Sequence, residues 1–170
     1  MTAVSDPHVS AALVSSAIAL LAFAALRDIA TRRIPNWASA LVALLGAALR
    51  IGDEQLAFGL AAAAGVFALA YLLWLRGWAG GGDVKLLAAT ALLVPPDAVL
   101  HLLVAVSLAG GALSALYLLL IRAGLPAMRL AAPGVLRRAL RAEAWRIRRR
   151  GSLPYACAIG AGGLITLYGG

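Results

Sequence analysis

The sequence Gly80-Gly81-Gly82-Asp83-Val84-Lys85 leads from one apolar run, residues 56–75, into a shorter one, residues 84–94. Runs of this kind are typical of helices that enter lipid. An ionised carboxylate at bilayer depth costs about 2.5 to 3.5 kcal/mol on insertion scales, so Asp83 is a candidate functional residue. A second carboxylate, Asp28, lies at the corresponding edge of the first apolar run. These two acids are therefore the main candidates for functional residues.

The composition excludes an ordinary soluble domain. Of the 170 residues, 63% are hydrophobic and 13% are charged, whereas globular proteins use about 45–50% apolar and about 25% charged residues. We therefore expect an all-α, polytopic integral membrane protein with one membrane-embedded domain over residues 1–170. Its single cysteine, Cys157, and its two separated histidines, His8 and His101, offer neither a disulfide framework nor a zinc site. No metal and no cofactor are expected.

The apolar runs predict six transmembrane helices, at residues 9–26, 37–51, 56–75, 84–94, 97–121 and 153–168. Pro35-Asn36 marks the start of the second of these helices. The fourth run is short, because its residues cover only about 16 Å of a hydrocarbon layer about 30 Å thick. Either the glycine-rich loop at residues 77–82 dips into the bilayer, or the lipid thins around this helix.

The positive charges predict the orientation. The formal net charge is +8, and six helices with both termini outside would place nearly all the basic residues in the cytoplasm, Arg50 excepted. Residues 122–152 form a basic connection, within which we expect a helix lying flat on the anionic inner leaflet of the bacterial inner membrane. Cytoplasmic loops and contact with anionic membrane lipids, which we expect as partners, account for the net positive charge. Nucleic-acid binding is not expected.

In this topology Asp28 ends the first helix and Asp83 starts the fourth, both at the cytoplasmic edge. The two can therefore be neighbours. Two carboxyl groups a few ångströms apart share one proton and titrate as a unit. Aspartic proteases use such a pair, in which the ionised member takes a proton from water and the protonated member polarises the scissile carbonyl. Glycines at positions 80 to 82 would let the backbone approach an extended substrate closely.

Other interpretations of the acids remain open. Asp28 could be a helix-end residue paired with Arg27, Arg32 or Arg33, and Asp83 an N-cap paired with Lys85. In a small membrane carrier or a proton- or cation-conducting subunit, the same acids would bind cations along a pathway. Such a pathway needs acids spread across the depth of the membrane, whereas the predicted topology places these two at one edge. In a structural assembly subunit the acids would be replaceable by Asn.

Three motifs occur in a fixed order along the chain. Asp28 precedes Pro35-Asn36, the Gly-x-Gly-Asp motif at residues 80–83 continues as Val-Lys-Leu, and Leu153-Pro154-Tyr155 opens a glycine-rich last helix. This combination resembles the type IV prepilin peptidases, in particular the short form that serves tight-adherence (Flp-type) pilus systems. Presenilin-like proteases share Gly-x-Gly-Asp, but their Tyr-Asp and Pro-Ala-Leu motifs do not occur here.

The resemblance implies an aspartic endopeptidase that removes the short basic leader from prepilins, its protein partners, at the cytoplasmic face of the inner membrane. Asp28 and Asp83 match the catalytic pair of that family. The long members carry a cytoplasmic insertion with paired CxxC motifs and methylate the new N-terminus. This chain has no such insertion, so N-methylation is not expected.

Further residues are candidates for shaping the active site or contacting substrate: Gly80, Gly82, Lys85, Pro35, Asn36, Pro154 and Tyr155. Lys85 either holds a substrate carboxylate or tunes Asp83, or it is an interfacial anchor. Asn36 either contacts substrate or caps the second helix. Pro154 and Tyr155 either line the cleft or start the last helix.

Overall fold

The computed structural model describes residues 6–122 and 153–169, which form helices joined by short turns, with no strand in these two ranges. The long helices, in chain order, are α1 (Pro7–Thr31), α2 (Asn36–Gly52), α3 (Leu56–Leu75), α4 (Gly81–Leu93), α5 (Val99–Arg122) and α6 (Tyr155–Tyr168), with a short 3-10 helix at Pro96–Ala98 before α5. The all-α prediction is confirmed for this part of the chain. The predicted basic interfacial helix lies outside the described residues.

Three segments are long and apolar enough to cross a membrane: Pro7–Thr31, Leu56–Leu75 and Pro96–Leu120. The helices α2 and α6 are apolar but shorter. These lengths and compositions indicate a membrane protein. The prediction of six crossings with both termini outside stays a prediction.

The helix α4 lies at the centre of the bundle. It packs against α2, α3 and α6, while α1 packs against α2 and α6, and α5 packs against α6. Most of α4 is buried, including Val84, Leu86 and the run from Ala89 to Leu93. A helix surrounded by other helices need not present a full bilayer length of apolar surface to lipid. This position accounts for its length of 13 residues, about 20 Å.

The glycine-rich stretch differs from the expected loop. Gly81 and Gly82 belong to the first turn of α4, and only Gly80 before them is extended, with φ −78° and ψ 142°. The expected irregular loop at residues 77–82 is therefore wrong for Gly81 and Gly82, which are helical. Asp83 is the third residue of a regular helix rather than part of a turn.

Close contact between α2 and α4 depends on a glycine. A Cβ atom at Gly46 would lie 2.8 Å from the backbone nitrogen of Leu93 and 2.9 Å from the carbonyl carbon of Leu92. In lipid, helices associate through packing and not through exclusion of water, so small residues at such contacts allow the backbones to approach. Gly46 therefore sets the distance between α2 and the central helix.

Candidate active site

Asp28 lies in the last turn of α1 and is only 6% exposed. Its Oδ2 atom accepts a hydrogen bond of 3.3 Å from the backbone N–H of Ala156. Ala156 is in the first turn of α6, where N–H groups have no partner within the helix and where negative charge is favoured. The start of the last helix thus holds the carboxyl group that ends the first helix.

Asp83 is held by the start of its own helix. The backbone N–H of Gly80, the residue before α4, makes a hydrogen bond to the Asp83 carboxyl group. A side chain three residues into a helix commonly reaches back in this way to the residue that caps it. A Cβ atom at Gly80 would lie 2.8 Å from Asp83 Oδ2, so glycine at this position leaves room for the carboxyl group.

The two acids line one cavity of about 560 Å³. They are close enough to repel one another electrostatically, and the guanidinium group of Arg32 is close enough to attract Asp83. The cavity lies where the C-terminal end of α1 meets the N-terminal ends of α4 and α6, and Trp78 and Tyr155 border it as well. Two carboxyl groups beside one arginine at the rim of an apolar bundle can take up, hold and release a proton.

Arg32, one of the three arginines that the sequence offered as a partner of Asp28, lines the cavity together with both acids. It ends α1 in the left-handed conformation, with φ 54° and ψ 32°, and its N–H donates to the carbonyl of Asp28 over 2.8 Å. Non-glycine residues rarely adopt this conformation. The available clue was its spacing of four residues after Asp28, which places both side chains on one side of the helix end.

Lys85 and Asn36 lie apart from the two acids. Lys85 Nζ donates a 3.1 Å hydrogen bond to Asn36 Oδ1. Both residues border a second, shallower groove of about 340 Å³ between α2, α3 and α4. The structure thus places Lys85 against the start of α2, and it does not bring it into the cavity of Asp83.

Of the remaining predicted site residues, some line the cavity of the two acids and others do not. Gly80 and Tyr155 line the cavity of the acids. Pro35 and Pro154 immediately precede α2 and α6 and act as their helix starts. A Cβ at Gly82 would lie 3.1 Å from the Cβ of Ile34, so this glycine provides close packing and does not border the cavity.

A contact between α5 and α6 bears on the position of Asp28. A Cβ atom at Gly110 would lie 2.8 Å from the hydroxyl oxygen of Tyr155 and 2.9 Å from its Cε2. Tyr155 directly precedes Ala156, the donor to Asp28. At the neighbouring Gly111 a Cβ atom would meet nothing within 4 Å. Gly110 therefore leaves room for the ring of Tyr155, which precedes the residue that donates a hydrogen bond to Asp28.

The family model of the type IV leader peptidase family matches residues 15–115, more than half of the chain and a range that includes both acids. The chain belongs to this family. No curated protein and no solved structure matches it. As a member of the leader peptidase family, the chain is a peptidase, and the family resemblance suggested by the sequence motifs is confirmed.

Proposed function

We propose that this family member is an aspartic endopeptidase that removes the short basic leader from Flp-type prepilins at the cytoplasmic face of the bacterial inner membrane. One observation carries the proposal: Asp28 and Asp83, which are far apart in the sequence, line the same cavity in a chain of the leader peptidase family. The basic residues near them, Arg27, Arg33 and Arg76, support the cytoplasmic orientation through the positive-inside rule.

The pair would act through one shared proton. The ionised carboxyl group takes a proton from a water molecule, whose oxygen bonds to the scissile carbonyl carbon. The protonated carboxyl group gives its proton to the carbonyl oxygen. The tetrahedral intermediate then collapses. The C–N bond breaks, the departing amine takes the proton that the first carboxyl group removed from water, and a hydroxyl group of the intermediate returns its proton to the second carboxyl group. The N–H groups of Gly80 and Ala156 keep the carboxyl groups in place during this exchange.

The test is cleavage of a prepilin in cells. Co-expression of this protein with a Flp-type prepilin should lower the mass of the pilin by that of its leader and by nothing else, since no N-methylation is expected. A known leader peptidase acting on the same prepilin serves as the positive control. An intact prepilin in the presence of membrane-inserted protein, with the control cleaving, would show the proposal to be wrong.

The contact of Gly110 with Tyr155 gives a second prediction. Gly110→Ala should push the Tyr155 ring away and weaken the hydrogen bond from Ala156 to Asp28. Hydrogen bonds to charged groups contribute about 1.5–3 kcal/mol, so partial loss should lower kcat about tenfold. KM should stay close to that of the wild type, and the thermal midpoint should fall by no more than a few degrees.

Gly111→Ala is the matched control, since its methyl group meets nothing within 4 Å and the substitution lies on the same helix. Cleavage time courses with purified enzyme and prepilin measure both variants. Equal kcat for Gly110→Ala and Gly111→Ala would show that Gly110 has no part in positioning Asp28.

A further inference from the structure

Arg32 lies in the active-site cavity, but the proposed cleavage does not use it. Within the part of the chain that the structure describes, four side chains that can carry a charge line this cavity: Asp28, Asp83, Arg32 and Tyr155. Two nitrogens of the Arg32 guanidinium group, Nε and Nη1, are buried. A positive charge is costly in an apolar bundle unless it balances negative charge. Arg32 is therefore a candidate for a further task in the site.

The backbone holds Arg32 in an unfavourable conformation. Its φ of 54° lies in the left-handed region, which is costly for residues with a Cβ atom. Its N–H donates to the carbonyl of Asp28, so this conformation ends the helix one turn after the first acid. Glycine would adopt it without strain, yet the chain has a long cationic side chain here that lines the cavity. Strain of this kind points to a function of the side chain.

The neighbouring basic residues of the described chain lie outside the cavity. Arg27 and Arg33 are exposed and do not border it. Lys85 borders the second groove, and the guanidinium carbon of Arg76 lies over the ring of Trp78, 5.8 Å from its centroid. Among the described residues, α3, α5 and α6 add no acidic or basic side chain to the cavity apart from one phenol on α6. The charge opposite the two acids therefore comes from Arg32.

The net charge of the cavity depends on how many protons the two acids hold. With a single shared proton, the acids together carry one negative charge, which the guanidinium group of Arg32 balances. Without a proton the cavity is negative, and with both acids protonated it is positive. A site of low dielectric constant favours the neutral state, and Arg32 is close enough to attract Asp83. The neutral state is also the one that the proposed cleavage needs.

We propose that Arg32 is a positioning residue for the proton of the pair, because its fixed positive charge keeps Asp28 and Asp83 in the state with a single shared proton at neutral pH. The inference rests on the proposed function. Without this charge, the neutral state of the cavity is the one in which both acids are protonated. No carboxylate would then be left to take a proton from water. Arg32 thus acts through the two acids and not on the scissile bond.

The pH profile of prepilin cleavage by the purified enzyme tests the proposal. Arg32→Gln removes the charge and keeps a polar side chain. The acidic limb of the kcat/KM profile should move to higher pH by about one unit or more, as expected for the loss of an opposite charge close to a carboxyl group. At the pH where the wild type is half-active on this limb, the variant should be slower by about fivefold or more. Raising the pH should restore most of its rate.

Two further variants separate charge from structure. Arg32→Lys keeps the charge but loses the shape of the guanidinium group, so its profile should stay at the pH of the wild type even where its rate is lower. Arg33→Gln is the matched control, because it removes the same charge from the next residue, which is exposed and does not border the cavity. Its profile should coincide with that of the wild type.

Two results would overturn the inference while the wild type cleaves. A rate of Arg32→Gln that is lower by the same factor at every pH would give Arg32 a structural role only. An equal shift in Arg33→Gln would trace the effect to the charge of the protein surface. If Arg32→Gln does not insert, Arg32→Asn takes its place, because asparagine tolerates the left-handed conformation. Failure of both variants to insert would also overturn the inference.

A measurement without substrate distinguishes this inference from the proposed function. Infrared spectra of the protein in membranes detect protonated carboxyl groups, and the band lost in Asp83→Asn identifies that of the pair. In Arg32→Gln this band should persist to higher pH than in the wild type. If the wild type cleaves no prepilin, the proposed function fails, whereas the infrared shift still shows whether Arg32 governs the shared proton. An unchanged band would overturn the inference.

Discussion

Asp28→Asn and Asp83→Asn should each lower the rate of leader removal about a thousandfold or more. Asparagine has nearly the shape of aspartate but cannot take a proton from water or give one to the carbonyl oxygen, and such transfers contribute about 10²–10⁴-fold. Both side chains line the same cavity, and the proposed mechanism needs one carboxyl group to take a proton while the other gives one. Neither acid can therefore replace the other. The measurement is the fraction of pilin with its leader removed, followed over time by mass spectrometry.

The double variant extends this test. Residues that act as a unit are not additive, so Asp28→Asn with Asp83→Asn should be no slower than either single variant. Asp97→Asn is the control, since Asp97 is exposed and does not border the cavity. Membrane insertion of every variant is checked on membrane fractions. If one of the two acids can be replaced without loss of cleavage, the pair is not the catalytic machinery.

Gly46→Ala should destabilise the protein by about 1–3 kcal/mol, as added methyl groups in packed interiors do. The new methyl carbon would lie 2.8 Å from the backbone nitrogen of Leu93, and backbone atoms cannot rotate aside as side chains do. The helices α2 and α4 would have to separate, and α4 carries Asp83. Thermal unfolding in detergent micelles should show a clear fall in midpoint.

Gly65→Ala is the matched comparison for this prediction. Gly65 lies within α3, and a Cβ atom there would meet nothing within 4 Å. Alanine favours a helix over glycine, so the midpoint of this variant should equal or exceed that of the wild type. Equal midpoints for the two variants would show that the close contact of Gly46 with α4 does not contribute to the stability of the protein.

The sequence predicted the features that depend on local pattern. The apolar run at residues 56–75 coincides with α3, and Pro35-Asn36 marks the start of α2. Asp28 near the end of α1 and Asp83 at the start of α4 follow from the same runs. Long apolar runs and prolines constrain the backbone wherever the rest of the chain lies, which is why these predictions hold.

Other features depend on contacts between distant residues. Lys85 pairs with Asn36, 49 residues away, and Asp28 pairs with Ala156, 128 residues away. Residue type and spacing do not fix such partners, since they depend on how the helices pack. The glycines before Asp83 are a further example. A run of glycines suggests a turn, whereas Gly81 and Gly82 belong to α4, a helix packed among its neighbours.

The hydrogen bond from Ala156 to Asp28 has a consequence for the synthesis of the protein. A ribosome produces α1 and α4 well before α6, so both acids are inserted while the donor to the first of them has not yet been made. During that interval the hydrogen bond from Ala156 to Asp28 does not yet exist. If the two acids act as proposed, the newly made chain would reach its full activity only once α6 has joined the bundle.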